Sequence, residues 1–441
     1  MSKLWQKNSH VAASVESFTI GNDQAMDLYL AQYDVLGSIA HATMLSEVGL
    51  LTPDEQLQIK NTLIKIYECI EAGQFKLDAG VEDIHSQVEI LLTQELGDIG
   101  KKIHSARSRN DQVLVDLKLF LRAEIISLSK AVQSFFDVLQ NKSEAHKNDL
   151  LPGYTHLQLA MPSSFGLWFS SYAEILIDDV YVLDAAFKTV NQNPLGSAAG
   201  YGSSFPVDRE FTTKELGFET LKFNVVAAQM GRGKNERTIA AALGSLANTL
   251  SRFAMDICLY MSQNFDFIAF PDTLITGSSI MPHKKNPITS ERITGLARVV
   301  RGYALSSMEN IVLWHERDIS NSSVERIILP DAFNLLCFIT KDLVAIFEGL
   351  HINYKAIEKN LGDAADKLSS QKILSALVKN DIDRDEAYRS VQDLTFENFS
   401  TEEIVIKLSE KFNIDSNLIS DFIEKETSLS NDEKSFNNKF K

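Results

Sequence analysis

The scarcity of proline is the feature that most constrains how this chain can fold. The 441 residues contain nine prolines, and none lies between Pro53 and Pro152, between Pro206 and Pro271, or after Pro330. Proline breaks the interior of a helix, so gaps of this length permit helices far longer than the average of about 11 or 12 residues. The sequence therefore predicts long helices over much of the chain.

Two of these gaps also carry an apolar pattern with the period of a helix. Apolar residues recur every three or four positions from Gln112 to Asn148 and again from Thr238 to Phe265, which marks one face of a helix in each segment. Long helices of this kind usually bury such faces in a multi-helix bundle, often between subunits, so we expect an all-α, oligomeric protein. The positions are Leu114, Leu117, Leu121, Ile125, Leu128, Val132, Phe135 and Leu139 in the first segment, and Leu243, Leu246, Leu250, Phe253, Ile257 and Tyr260 in the second.

Breaks in the helical pattern suggest how the chain is divided. Stretches that contain glycine or proline lie at 97–111, 151–164, 193–206 and 271–288, and they also hold the densest polar chemistry. We predict an N-terminal helical domain over residues 1–111 and a central long-helix bundle over 112–350. A small helical domain with a frayed tail is expected over 351–441.

Composition narrows the classes of function. Lys and Arg number 43 against 59 Asp and Glu, and the resulting net charge of −16 repels nucleic acid and anionic membranes. Cys69, Cys258 and Cys337 are far apart in apolar runs, as expected for reduced thiols. The start lacks the apolar core of a signal peptide, and no apolar run reaches the roughly 18 residues of a membrane span. We expect a soluble cytoplasmic protein.

The loop GSSIMPHKKNP, residues 277–287, is the most unusual segment for chemistry. Two hydroxyls precede Lys284 and Lys285, and glycine and proline shape the backbone around them. A serine hydroxyl becomes a base only when its oxyanion is stabilised, and ammonium groups with oriented backbone N–H groups can do this. A solvated surface turn is the alternative for any Gly-Ser-Ser alone.

Two further segments supply polar groups next to helices. His156 lies in LPGYTHLQ (151–158), where it could exchange a proton near neutral pH or serve a structural role. Arg107, Arg109, Asn110 and Gln112 lie within six residues where the first long helix is expected to begin. Guanidinium and amide donors at a helix start suit a carboxylate or phosphate ligand, although they can also pair with acidic neighbours.

Together these segments offer a hydroxyl that could be activated, a histidine and several donors for anions. The set fits abstraction of a proton next to a carboxylate, followed by loss of a β-substituent. The intermediate is a dianionic aci-carboxylate, so positive and amide donors are needed where its charge develops. From the residues alone we infer a lyase that acts on a small polyanion.

The same segments carry a family resemblance. GSSIMPHKKNP resembles the signature of the fumarase/aspartase superfamily, whose members release fumarate from succinyl-type substrates. Residues 1 to about 287 are similar to the argininosuccinate lyases in particular. The motifs are MDLYLAQYDVLGSIAHA (26–42), VEDIHSQVE (81–89), HSARSRNDQV (104–113), LPGYTHLQ (151–158), NPLGSAAGYGSSFP (193–206) and QMGRGKNER (229–237).

The resemblance implies a role for each matching residue. Ser278, rather than Ser279, is the base that takes the Cβ proton of the succinyl group. His156, held by Glu291, assists proton transfer to the leaving nitrogen. The superfamily also implies a homotetramer with each active site built from three subunits, and no metal or organic cofactor. The resemblance assigns the binding of the substrate carboxylates to Lys284, Asn286, Thr155, Ser108, Arg109 and Asn110.

The part that follows Pro287 resembles a different family. The segments ITSERITGLARVVRGY (288–303) and LWHERDISNSSVERIILPDA (313–332) are similar to the adenylosuccinate lyases. In that family the residues matching Arg317, Ser322 and Arg326 hold a nucleotide phosphate. The Tyr, Gln and Lys with which argininosuccinate lyases reach the arginine end are replaced by His315, Ser320 and Ser323, and Asn321 replaces the usual His of the adenylosuccinate lyases.

The two resemblances therefore leave more than one possible substrate. Asp27 could meet the guanidinium of an arginine-like substrate, or it could be a carboxylate on a helix surface. We expect cleavage of argininosuccinate to arginine and fumarate, in arginine biosynthesis. The alternatives are cleavage of adenylosuccinate, in purine biosynthesis, and a structural homologue without activity.

Overall fold

The structure is a computed structural model that describes residues 27–78, 81–310 and 322–425. Sixteen α-helices dominate the described residues and six short strands accompany them, which confirms the predicted all-α class. The helices are α1 (Ala31–Glu47), α2 (Pro53–Glu71), α3 (Ile84–Leu96), α4 (Asp98–Lys101), α5 (Arg109–Ala145), α6 (Phe165–Val190), α7 (Arg209–Glu215), α8 (Val225–Met230), α9 (Lys234–Tyr260), α10 (Ile288–Met308), α11 (Ser322–Glu348), α12 (Tyr354–Gly362), α13 (Ala365–Lys379), α14 (Arg384–Phe396), α15 (Thr401–Phe412) and α16 (Ser416–Lys425).

The two helices predicted from apolar periodicity are present and bury the expected faces. Helix α5 has 37 residues, and all eight of its predicted apolar positions are buried. Helix α9 has 27 residues, and Tyr260, which is half-buried, is the one predicted position on it that is not fully buried. The period of the apolar residues therefore identified the correct face of both helices.

The strands form three two-stranded sheets. Strand β1 (Leu150–Thr155) pairs antiparallel with β2 (Gln158–Ser164), so the 151–164 break in the helical pattern is a β-hairpin. Strands β3 (Gln192–Asn193) and β4 (Thr220–Leu221) are parallel, and β5 (Ile268–Ala269) and β6 (His351–Ile352) are antiparallel. Each strand of the second and third sheets has two residues, and these short sheets join loop segments to each other.

The chain divides into two compact units. The first takes the described residues up to Ser134, then Leu176–Arg252 and Arg292–Asp342. The second takes Phe135–Ile175, Phe253–Glu291 and the described residues from Leu343 onward. Five long helices, α5, α6, α9, α10 and α11, contribute residues to both units. The three linear domains predicted from the sequence are a different kind of division and stay a prediction.

Each unit has its own apolar core. In the first unit, helices α1, α2 and α3 bury a cluster that includes Leu45, Leu63 and Leu92. In the second, the rings of Phe253 and Phe347 stack with centroids 4.7 Å apart. The C-terminal helices α13 to α16 bury a separate cluster around Ile373, Leu377, Val391, Ile404 and Leu408.

The expectations of reduced cysteines and of no membrane-spanning segment can be compared with the structure. The three cysteines are free thiols and each is half-buried. Among the residues that the structure describes, no helix has both the length and the apolar character required to cross a bilayer. The predicted frayed tail lies outside the described residues.

Candidate active site

The loop that carries Ser278 is closed at its base by backbone pairing. The N–H of Asn286 donates to the carbonyl of Thr276 at 2.8 Å, and the N–H of Thr276 donates back at 3.3 Å. The side chain of Asn286 also donates from Nδ2 to the carbonyl of Gly277 at 3.1 Å. Asn286 thereby holds the two ends of the loop together.

Ser278 accepts hydrogen bonds from its own loop. Its Oγ accepts from the backbone N–H groups of Ile280, at 3.3 Å, and Met281, at 3.1 Å. Two N–H dipoles aimed at a hydroxyl oxygen stabilise the negative charge that the oxygen carries when it acts as a base. Ser278 is half-buried, whereas Ser279 is exposed and makes no side-chain hydrogen bond among the described residues. The two serines therefore differ in their surroundings, and the assignment of Ser278 as the base stays a prediction.

The two adjacent lysines of the loop differ in their partners. The Nζ of Lys285 lies 3.3 Å from a carboxylate oxygen of Asp272. Lys284 is exposed, and in the described parts of the chain its ammonium group makes no ion pair. Its backbone N–H donates to the carbonyl of Met281 at 3.0 Å. Lys284 is therefore the lysine whose charge is open to an anionic ligand.

His156 lies at the tip of the β-hairpin. His156 and Leu157 form its two-residue turn with φ values of 53° and 61°, and Thr155 pairs with Gln158 at its base. Two successive residues with positive φ match the twist of a hairpin, but the conformation is costly for residues other than Gly and Asn. All four residues are exposed in the single chain. The hairpin thus presents His156 and Thr155 outward.

Glu291, the predicted partner of His156, lies in the first turn of helix α10. No hydrogen bond or ion pair joins it to His156 among the described residues. Its carboxylate is near the thiol of Cys258, where burial and then the charge of Glu291 raise the pKa of the thiol to about 11. A thiol in this state is protonated at neutral pH, which argues against a nucleophilic role for Cys258.

Helix α5 begins with the predicted anion donors. The hydroxyl of Ser108 accepts from the N–H of Asn110 at 3.3 Å. The guanidinium of Arg109 donates to Glu89 Oε1 at 3.1 Å, to Gln112 Oε1 at 2.9 Å and to the hydroxyl of Ser86 at 3.3 Å. Arg109 is therefore oriented by the VEDIHSQVE segment, and 28% of its side chain stays exposed.

Beneath this helix start lies a buried group of charges to which the sequence analysis assigned no role. His85 Nδ1 is 2.9 Å from Asp34 Oδ1 and 3.4 Å from Asp116 Oδ2, and all three side chains are fully buried. Burial tends to raise the pKa of Asp34, but His85 outweighs it and lowers the value to about 2. Burial and the charge of Asp34 raise the pKa of Asp116 well above its usual range. The pKa values of the two neighbouring carboxyl groups are thus shifted in opposite directions.

The same three residues form the one group in the described ranges whose ligand atoms, all within 4.8 Å of one another, could hold a metal ion. Two neighbours act against a cation there. The buried guanidinium of Arg107 already attracts Asp34 and Asp116, and Gln112 Nε2 donates to Asp34 Oδ1 at 2.6 Å. In the sequence, the sign of this buried group is His85 in the VEDIHSQVE motif. Its two carboxylate partners, Asp34 and Asp116, are 51 and 31 residues away along the chain.

Asp27 and Arg326, both predicted to contact substrate, contact each other. Arg326 Nε lies 3.3 Å from Asp27 Oδ1, and the Asp27 side chain is fully buried while 15% of Arg326 is exposed. Asp27 is therefore an internal counter-ion and not a surface carboxylate. Ser322 is the first residue of helix α11, and Arg317, His315, Ser320 and Asn321 lie outside the described residues.

A second buried group of charges, also without a role in the sequence analysis, surrounds the start of helix α9. Arg232 Nε is 3.2 Å from Glu325 Oε2, and 2% or less of either side chain is exposed. Burial and the nearby charge of Glu325 raise the pKa of Glu236 to about 8. Burial lowers the pKa of Lys118 to about 8, and its Nζ donates to the carbonyl of Gln192 at 2.9 Å.

The predicted site residues thus fall into two sets within the single chain. The first compact unit holds Asp27, Ser108, Arg109, Asn110, Ser322 and Arg326. The second holds Thr155, His156, Ser278, Lys284, Asn286 and Glu291.

Comparison with known proteins identifies relatives. A family model described as "Lyase" matches residues 8–302. The argininosuccinate lyase of Bacteroides fragilis is 61% identical over 285 residues, which are 65% of this chain and 64% of that protein. The argininosuccinate lyase of Phocaeicola vulgatus is 52% identical over 361 residues, 81% of this chain and 80% of that protein.

The fold is also found among solved structures. A variant of EDDS lyase with bound fumarate superposes with a TM-score of 0.79 at 22% sequence identity. The match covers 94% of this chain and 84% of that chain. At this level of identity the similarity concerns the fold alone.

Proposed function

Because the chain belongs to the lyase family whose model matches residues 8–302, we propose that it cleaves argininosuccinate to arginine and fumarate. The observation that carries the proposal is the pair of N–H groups aimed at Ser278 Oγ within a closed loop. The identity of 61% and 52% to two argininosuccinate lyases supports the substrate. The matched segments span 64% and 80% of those proteins.

The proposed reaction begins at Ser278. As its alkoxide, Ser278 takes a proton from Cβ of the succinyl group, and the electron pair moves into the adjacent carboxylate to give an aci-carboxylate. Collapse of this dianion forms the Cα–Cβ double bond of fumarate and breaks the bond between Cα and nitrogen. His156, with Glu291 as its proposed partner, assists delivery of a proton to the departing guanidino nitrogen.

In the proposed homotetramer, the donors that bind the substrate carboxylates come from different subunits. Lys284 supplies an ammonium group without an internal partner in the described residues, and Arg109 supplies a guanidinium already oriented by Glu89. The remaining proposed donors are Thr155, Asn286, Ser108 and Asn110. Charge-assisted donors of this kind are worth most where the negative charge of the aci-carboxylate develops.

Cleavage of adenylosuccinate is the alternative favoured by the sequence around residues 315–326. It assigns Arg317, Ser322 and Arg326 to a phosphate. The ion pair between Arg326 and the buried Asp27 weakens this assignment, because the guanidinium already neutralises an internal carboxylate. A phosphate dianion would have to compete with that carboxylate for the same group.

Assembly into a homotetramer with shared active sites is part of the proposal. Large apolar side chains are exposed on the long helices, and such patches are usual at subunit interfaces. A cytoplasmic location is proposed as well, supported by the free cysteines. The exposed apolar residues are Ile175, Tyr181 and Val182 on α6, Val299, Leu305 and Met308 on α10, and Ile327 and Phe338 on α11.

The test is release of fumarate from argininosuccinate and from adenylosuccinate, side by side, followed by ultraviolet absorbance. We expect activity on argininosuccinate that Ser278→Ala abolishes and that Ser279→Ala largely retains. Activity on adenylosuccinate alone would replace the proposed substrate. A wild type that assembles but acts on neither compound would leave the inactive structural homologue as the correct description.

A further inference from the structure

The hairpin that presents His156 is poorly supported by its own pairing. It has two strands, β1 and β2, and its turn consists of His156 and Leu157, both with positive φ. An isolated two-stranded hairpin is marginally stable in water, and a left-handed conformation costs about 1 kcal/mol at each such residue. Within the single chain, contacts outside the hairpin therefore help to hold His156 in place.

Helix α12 supplies this support at both ends of strand β1. At the start of the strand, the hydroxyl of Tyr354 donates to Asp149 Oδ2 at 2.9 Å. Near the tip, the hydroxyl of Tyr154 donates to Asn360 Oδ1 at 3.1 Å. Tyr354 and Asn360 lie six residues apart on one helix, and helix α12 packs along β1.

The backbone of the hairpin directs Tyr154 toward this helix. The register of the two strands shifts between Gly153 and Tyr154, and a β-bulge re-aims the side chain that follows it. A Cβ at Gly153 would lie 2.7 Å from the carbonyl of Met161, so glycine is required at the bulge. The ring of Tyr154 also packs edge-on against Phe265, with centroids 5.3 Å apart.

We propose that Asn360 is a positioning residue for His156, which it holds through Tyr154. This role rests on the proposed lyase function for its effect on catalysis, but the contact itself can be tested without it. Asn360 acts on a turn two residues beyond Tyr154, so its loss should loosen the hairpin tip more than the chain as a whole. A C-terminal helix, 204 residues away in sequence, would thereby set the geometry of proton transfer.

Hydrogen exchange of the full-length chain tests the contact directly. Asn360→Leu removes the acceptor, and we expect exchange in residues 150–164 to become about fivefold faster, the effect of losing one hydrogen bond. Asn360→Asp keeps an oxygen in the same place and should restore protection. Glu358→Gln, an exposed change on the same helix, is the control and should leave the hairpin unchanged. If Asn360→Leu fails to fold, Tyr154→Phe removes the same bond from the other side.

Kinetics on argininosuccinate provide the second measurement. For Asn360→Leu and Tyr154→Phe we expect kcat to fall about fivefold while KM stays within about twofold, because the hairpin positions a proton-transfer group. Unchanged exchange in residues 150–164 would overturn the inference, as would an equal increase over the whole second unit. A wild type that releases no fumarate would overturn the proposed function, and the exchange result would still decide the role of Asn360.

Discussion

The buried guanidinium of Arg232 lies 3.2 Å from the carboxylate of Glu325. Arg232 belongs to the part of the sequence that resembles argininosuccinate lyases, and Glu325 to the part that resembles adenylosuccinate lyases. The ion pair between Asp27 and Arg326 joins the same two parts. Buried charges require partners, so these pairs indicate that the two parts are matched to each other. A chain with mismatched halves is not expected to show this complementarity.

Removing one member of the first pair should be more harmful than removing both. Arg232→Met leaves Glu325 as a buried charge without this partner, and we expect a loss of about 3 kcal/mol in the free energy of unfolding. Arg232→Met combined with Glu325→Leu should recover much of that loss. Urea unfolding followed by circular dichroism measures both variants, and equal losses in the two would contradict the prediction.

The lysines of the 277–287 loop should differ in their importance. Lys284→Met removes a charge placed to meet the dianionic intermediate, and we expect kcat for fumarate release to fall by about 10²-fold or more. Lys285→Met removes a lysine already paired with Asp272 and should cause a far smaller loss. Steady-state rates of the two variants check this, and similar losses would show that the ion pair does not distinguish them.

A side chain at Gly153 should disturb the hairpin of His156. The Cβ of Gly153→Ala would meet the carbonyl of Met161 at 2.7 Å, so the bulge must shift. We expect about a tenfold loss of kcat. Gly362→Ala is the matched control, because a Cβ there meets nothing within 4 Å. Wild-type rates in both variants would contradict this prediction.

Acid should destabilise the protein partly through His41. This histidine is fully buried with Nε2 2.8 Å from the carbonyl of Ser105, and burial, with a contribution from Arg107, lowers its pKa to about 3. A lowered pKa means that the unfolded chain binds the proton first. The stabilisation is complete above about pH 6.5 and is lost as the pH falls toward 3.

The measurement is the difference in unfolding free energy between wild type and His41→Gln at pH 7, 6, 5 and 4. Below pH 6.5 the wild type should lose about 1.4 kcal/mol per pH unit relative to the variant. The difference removes the opposite contributions of Asp34 and Asp116, which both proteins share. A constant difference across this range would mean that His41 binds its proton equally well in both states.

Local patterns predicted the long helices well. Apolar spacing along α5 identified eight positions that are all buried, because a repeated period needs no knowledge of distant residues. The choice of Ser278 over Ser279 came from the resemblance and stays a prediction; in the structure Ser278 Oγ accepts hydrogen bonds from the N–H groups of Ile280 and Met281. Ala106 has a φ of 63°, a backbone conformation that favours glycine, and no local pattern predicted it.

Several contacts that the sequence did not predict join residues far apart in the chain. Arg326 was assigned to a phosphate, and its partner Asp27 precedes it by 299 residues. His85 had no assigned role because its carboxylates come from helices α1 and α5. The bond from Tyr154 to Asn360 spans 206 residues. No local pattern carries information about such pairings, so only the folded chain reveals them.

The interleaving of the two compact units has a consequence for biosynthesis. The first stretch of the second unit ends at Ile175, but its remaining stretches begin at Phe253 and Leu343. At the usual pace of a ribosome, roughly ten to thirty seconds separate the emergence of Ile175 from that of Leu343. During this time Phe347, whose ring packs against Trp168 and Phe169 in the folded chain, has not yet emerged from the ribosome. The contacts of Phe347 with these two rings therefore form late in synthesis, and neither unit can be cut out as a continuous fragment.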